Sequence, residues 1–175
     1  LAEIFRQRPE WSFILYRNEG ESSEALEKLL QHRNVQLGVM GDQHRDELDL
    51  YHIADPMTIL PGFDSPFLSA PGIPSTAVFY DLIPLVKREM HFDCWEGWTK
   101  KAYSRRLAEL KRSETVALPI SECSRLDLHR LTDFPLDRAV TIMAGINRAA
   151  IAGPPSPEAL RQVQDKFGLH SPFFM

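Results

Sequence analysis

The stretch that most constrains this chain is Ser75-Thr-Ala-Val-Phe-Tyr80-Asp81-Leu-Ile-Pro84-Leu85, an apolar run that stops at an acidic residue and then turns at a proline. A strand buried on both faces reads as a continuous hydrophobic run, and in open parallel α/β sheets the functional groups collect where such strands end. Asp81 is the first candidate site residue on that ground. A second run, Thr115-Val-Ala-Leu-Pro-Ile120, empties into Ser121-Glu-Cys-Ser124-Arg125-Leu-Asp127-Leu. There Ser121 takes the place of a helix N-cap and Glu122 lies in the positive first turn. Strand, polar turn and helix follow in order.

The rest of the chain carries the same alternation. Residues 1–8 read as the tail of a helix, and Trp11-Ser-Phe-Ile-Leu-Tyr16 as the strand after Pro9. Leu26, Leu29 and Leu30 stand at helical spacing within residues 23–32, residues 35–40 form a short apolar run, and residues 48–53 alternate up to the breaker Asp55-Pro56. Between Pro56 and Pro74 the density of Pro and Gly punctuates rather than builds elements, which fits a binding loop or a plain surface loop. Residues 95–110 form a helix with Trp95, Trp98, Ala102, Tyr103, Leu107 and Leu110 on one half of its circumference. The paired tryptophans suit core packing, with a sugar-stacking platform as the alternative. Residues 139–143 form a further buried strand. Ser156 then caps a helix with Pro157 at its first position, a buried stripe of Leu160, Val163 and Phe167, and Gly168 at its close. Strands alternating with helices predict a doubly wound, mostly parallel sheet.

A chain of 175 residues accommodates one such layer system and not two. The net charge of −4 with scattered Lys and Arg gives no footprint for nucleic acid or anionic lipid. Cys94 and Cys123 form neither a CxxC motif nor a disulfide framework, so a reducing cytoplasm is expected. No apolar run reaches the roughly 20 residues of a membrane span. The chain opens on Leu1 inside an amphipathic stretch and closes on Pro172-Phe-Phe-Met175, which reads as an internal piece of a longer protein.

In a single parallel sheet the strand ends converge on one rim, which would bring His52, Asp81, Ser121 and Gly145 together. Each has a structural alternative. Asp81 can cap the turn at Pro84, His52 can be a hydrogen-bonded strand-end histidine, Ser121 and Ser124 can be caps, and Gly145 can serve backbone geometry alone. The functional alternative for Ser121 is an anion held by the N–H groups of its helix. His91-Phe-Asp93-Cys94 lacks the spacing of a zinc site, so no metal is assigned. There is no GxSxG elbow, Walker loop or GxGxxG in these residues.

Four segments in order resemble the N-terminal half of group 1 (family 4) glycosyltransferases. They are Phe79-Tyr-Asp81-Leu-Ile-Pro84-Leu, Pro119-Ile-Ser121-Glu-Cys-Ser124-Arg125-Leu-Asp127-Leu, Val140-Thr-Ile-Met-Ala-Gly145-Ile-Asn147 and Lys166-Phe-Gly168-Leu-His-Ser-Pro172-Phe-Phe. The resemblance implies a GT-B architecture of two Rossmann-like halves. Residues 1–151 would be the acceptor-side half, lacking its first strand, and residues 152–175 the linker helix and the start of the donor half. It implies a retaining transfer of a sugar from a nucleotide-sugar donor to the hydroxyl of a carbohydrate or lipid-linked glycan acceptor, with no cofactor and no metal. The setting would be cell-surface polysaccharide or glycan synthesis, in the cytoplasm or peripherally at the membrane inner face. By the same resemblance Asp81 matches the family's strand-end acidic residue and is the expected catalytic residue, Ser121 and Arg125 match the serine and arginine of its helix start, and Gly145 and Asn147 match the Gly-x-Asp/Asn before its linker; with His52, Tyr80 and Ser124, which the strand ends and the helix start supply, these are expected to line the cleft. Tyr80 stands where many members have His, and the glycine-rich loop and the donor half are absent, so this chain is expected to be inactive alone. The competing readings are a non-catalytic Rossmann-like binding module and another GT-B enzyme, such as an epimerase or a sugar-phosphate synthase.

Overall fold

The computed structural model describes residues 2–17, 23–39, 48–59, 72–143, 145 and 156–169. In chain order these form α1 (Ala2–Gln7), β1 (Phe13–Arg17), α2 (Glu24–Leu29), β2 (Val35–Val39), β3 (Tyr51–Ile53), β4 (Ser75–Phe79), α3 (Ile83–Val86), α4 (Gly97–Arg112), β5 (Val116–Pro119), α5 (Glu122–Thr132) and α6 (Pro157–Phe167). Single 3-10 turns lie at Phe92–Cys94 and Leu136–Arg138.

The class is α/β, and every strand pair is parallel. The strands make two small open sheets, β1-β2 and β3-β4-β5, among the described residues. The single sheet expected from the alternation of elements is therefore not what these residues form. Apolar runs specify which segments are extended; they do not name the edge on which each pairs. Residues 139–142 run beside β5, where Ala117 bridges Ala139 and the Val140 and Ile142 amides donate to Ala117 O and Pro119 O at 3.0 and 2.8 Å.

Ala77 and Phe79, on one face of β4, and Ala117 of β5 are wholly buried, while Val78, Val116 and Leu118 on the opposite faces are half-buried, so the expected burial on both faces is met fully on one face only. Onto them pack Tyr103, Leu107 and Leu110 of α4, Leu128 of α5, and Leu82, Phe92 and Phe134 from the connections. Arg138 ties this layer together, its guanidinium donating to Leu110 O and Lys111 O in the last turn of α4 and to Ser113 O and Thr115 O beyond it. Of the expected buried stripe of α4, Trp98 departs: it is 47% exposed and its indole donates to the Glu96 carboxylate at 2.5 Å. The β1-β2 pair has its own small contact, with buried Phe5 of α1 against Phe13 at 4.6 Å between ring centroids. The Asn34 amide reaches the carbonyls of Phe5, Arg8 and Trp11 at 3.0 to 3.1 Å and fixes the turn between α1 and β1.

The chain divides into two compact units, Leu1–Met143 and Ala144–Met175. In the second, α6 begins and ends where its signals lie. Ser156 Oγ accepts from Ala159 N at 3.2 Å, Pro157 occupies the first turn, and Gly168 closes it in the left-handed region at φ 65°. Its apolar stripe is not buried as expected, for Leu160 and Val163 are each 44% exposed and Phe167 is 63% exposed. A helical period chooses the apolar face, whereas burial also needs a surface to cover it. Among the described residues no helix is long and apolar enough to cross a membrane.

Candidate functional site

β3 and β4 run parallel with Ile53 opposite Ala77, and β4 continues to Phe79. A cavity of about 380 Å³ opens past these strand ends. The segment after β3 supplies Asp55, Met57 and Ile59; the segment after β4 supplies Tyr80, Asp81 and Pro84. The third side comes from Trp95 and from Thr99 and Tyr103 of α4.

Each wall has a local cause. Asp55 forms an Asx turn: one carboxylate oxygen accepts from the amides of Met57 and Thr58, both at 3.2 Å, and the other accepts the Thr58 hydroxyl. Behind it the buried Arg106 guanidinium donates to Pro56 O at 3.1 Å. Burial lowers the pKa of Arg106, and the carboxylates of Glu109 and Asp55 oppose that shift. Asp81 Oδ1 accepts from Ile83 N at 3.0 Å and so starts α3, whose first turn carries Pro84. No further hydrogen bond reaches the exposed Asp81 carboxylate from the described residues. The aromatic side is rigid, with Trp95 edge-on to Tyr103 at 5.3 Å and both against Phe92. Burial pushes the Tyr103 phenol above its ordinary range, and the negative charge of Asp81 adds to the shift.

Of the site residues expected from the sequence, Asp81 and Tyr80 lie at this cavity, and of the paired tryptophans Trp95 lines it while Trp98 does not. Ser124 is joined to it through the backbone: its buried hydroxyl donates to Tyr80 O at 2.5 Å, while Ile120 N donates to Phe79 O at 3.0 Å. Ser121 is the N-cap of α5, its Oγ accepting from Ser124 N at 3.1 Å. Arg125 turns to Glu122, pairing with both carboxylate oxygens at 2.8 to 3.1 Å. That pairing, with the Thr141 hydroxyl at 2.9 Å, holds the Glu122 carboxyl below the usual carboxylate range. His52 is not at the cavity. It lies opposite Thr76, with Nδ1 2.8 Å from Thr76 Oγ1 and its pKa lowered by burial. Asp81 follows Thr76 by five positions, and at about 3.3 Å per residue the two levels are well separated along the strands. Gly145 belongs to the second unit, where nothing crowds a Cβ built on it. Asn147 lies outside the described residues.

The sequence reading passed over Asp55, Thr99 and the site position of Tyr103. Asp55 was legible by the rule that selected Asp81, since it too is the first carboxylate after a strand. Together the walls offer carboxylate oxygens, which can accept hydrogen bonds from hydroxyl or amine donors, beside fixed aromatic faces. No three His, Cys, Asp or Glu side chains among the described residues gather in a way that could hold a metal ion. Comparison of the chain with family models, with curated proteins and with solved structures finds no match.

Proposed function

We propose that the unit through Met143 is the acceptor side of a retaining, nucleotide-sugar-dependent glycosyltransferase of the GT-B architecture. The observation that carries this reading is the cavity past the ends of β3 and β4, with Asp81 and an aromatic wall at its mouth. It lies beyond the carboxyl ends of parallel strands, the rim of an open α/β sheet on which ligands bind, and its Asp81 belongs to the first of the four segments that resemble the family. The strand order lends support to the finer fold. One more parallel strand between β1 and β3 would join β2-β1 and β3-β4-β5 into a single sheet whose order reverses at that strand, as in a doubly wound fold.

In this reading Asp81 uses the oxygen left free by the Ile83 amide to accept the acceptor hydroxyl proton in a hydrogen bond, which aims the oxygen at the donor carbon. In front-face retaining transfer the departing donor phosphate takes the proton, so the protein positions two substrates and needs no strong base of its own. The donor's nucleotide would be gripped by the other half of such an enzyme.

The test is transfer by the full-length protein from a panel of nucleotide-diphosphate sugars, with products read by mass spectrometry. Asp81→Asn keeps the oxygen that caps Ile83 and is expected to slow transfer by about 10²-fold. An unchanged rate would remove Asp81 from the mechanism. A second reading, a non-catalytic binding module, draws on the fact that the turn at Ile83 already accounts for the position of Asp81. Ligand binding with no product from any donor would favour it.

A further inference from the structure

We infer that the cavity selects its ligand by charge, taking an amine-bearing or uncharged ring and excluding one that carries a carboxylate or a phosphate. Naming that ring as a sugar rests on the proposed function; the charge selection does not.

Three observations carry the inference. First, the described walls present two carboxylates, Asp55 and Asp81, and no Lys or Arg. Second, this is a property of a long stretch of chain. Residues 46–86 contain six acidic residues (Asp46, Glu47, Asp49, Asp55, Asp64 and Asp81), whereas all 20 Lys and Arg lie elsewhere. Two of the three walls, residues 55–59 and 78–84, fall inside that stretch, and the third is made of the uncharged Trp95, Thr99 and Tyr103. Third, the cation nearest these walls, Arg106, is 3% exposed, donates to Pro56 O and is not among the residues that line the cavity. Its charge offsets part of that of Asp55. Among the described residues Asp81 has no such counterion: its hydrogen bond is to the neutral amide of Ile83, and its carboxylate is exposed.

A ligand anion here would lose hydration and meet like charge, and would gain no guanidinium or ammonium in return. An ammonium would meet the Asp81 carboxylate and could lie against the faces of Tyr80 or Trp95, which attract cations. A hydroxyl would find the same carboxylate as an acceptor without the added attraction. The cavity volume, at the lower end of the roughly 300–1,000 Å³ of ligand sites, suits one ring unit.

The experiment titrates the full chain with two matched probe sets, following the Trp95 indole N–H by NMR. One set is glucosamine, methyl glucoside and glucuronate; the other is benzylamine, benzyl alcohol and benzoate. The expected order in both is amine, then neutral, then acid, with the acid at least about tenfold weaker than the amine. Asn keeps the oxygen that accepts the backbone amides at both positions, so the double variant Asp55→Asn/Asp81→Asn is expected to fold and to collapse the order. Thr99→Lys, which sets one cation against the two carboxylates and leaves both Asx turns alone, is expected to flatten it. An acid that binds as well as its neutral partner in the unmodified chain overturns the inference, as does silence from both sets. If the benzyl set shows the order and the sugars do not bind, charge selection stands and the carbohydrate reading falls. If the sugars bind without a charge order, the carbohydrate reading stands and charge selection falls.

Discussion

The Tyr103 phenol is buried on the cavity wall between Trp95 and Phe92, and both its burial and the negative charge of Asp81 disfavour the phenolate. In the unfolded chain the same group ionises near pH 10. Its folded pKa is raised, so it contributes stability that is fully present below about pH 10 and is lost as pH rises through the folded value. The urea midpoint should therefore fall more steeply above pH 10 in the unmodified chain than in Tyr103→Phe. Phenolate absorbance provides a direct check. The difference between the unmodified chain and Tyr103→Phe isolates one of the four tyrosines, and Asp81→Asn should move that titration to lower pH. A Tyr103 titration that does not respond to Asp81→Asn would mean the two groups are not electrostatically coupled. At this scale the sequence was readable where a residue follows from its place on an element, as Asp81 does from the end of an apolar run. Tyr103 was not readable as a site residue, because helical spacing puts it on the core face and says nothing of a gap left beside that face. His52 sits one residue short of the end of β3 and beside Thr76, because its run continues to Ile53 and the chain to Asp55.

Among the elements, the β1-β2 pair has a tight point at Gly38, opposite Tyr16. A Cβ built on Gly38 would stand 2.7 Å from Ile14 Cγ2 and 2.8 Å from Tyr16 Cε1. Where space allows, replacing Gly by Ala stabilises by about 0.4–1 kcal/mol through the unfolded chain. Here two side chains on the neighbouring strand must give way, and Ile14 is stiff at its branched carbon, so overpacking at about 1–3 kcal/mol decides the sign. Gly38→Ala should lower the urea midpoint without changing the slope of the transition, and a raised midpoint would show that Ile14 and Tyr16 have room to move. Elements with two agreeing signals were legible in the sequence. β4 and β5 have continuous apolar runs, and α5 and α6 have a serine at the cap position that does accept the amide three residues on. α3 was not legible, because four residues begun by the Asp81 turn and holding Pro84 read equally well as a turn. The exposed stripe of α6 marks the limit of periodicity as evidence, for it shows which face is apolar and leaves open whether anything covers it.

At the scale of the whole molecule, burial is uneven. The contiguous core draws every member from residues 53–139, on β3, β4, β5, α4 and α5 and their connections. Among the described residues the β1-β2 sheet is two strands wide, Phe13, Ile14, Leu15 and Tyr16 are half-buried, Gly38 is the buried position of β2, and the buried hydrophobic residue beside it is Phe5. A two-stranded sheet is marginal without a covering layer, and an 11-residue helix that buries no side chain is marginal in water. The expectation of one sheet would have given β1 and β2 the stability of the common core; separate sheets predict a graded molecule instead. Native-state hydrogen exchange should rank the amides accordingly. Those of β4 and β5 should open only with global unfolding, those of β1 and β2 through sub-global openings of lower free energy, and those of α6 fastest of the three. Urea separates the classes, because global openings become easier in proportion to the surface they expose and local ones barely respond. If β1 and β2 instead exchange with the same free energy and the same urea dependence as β4 and β5, the two sheets unfold as one cooperative body. The division into a tight five-element core with a looser flanking pair would then be wrong.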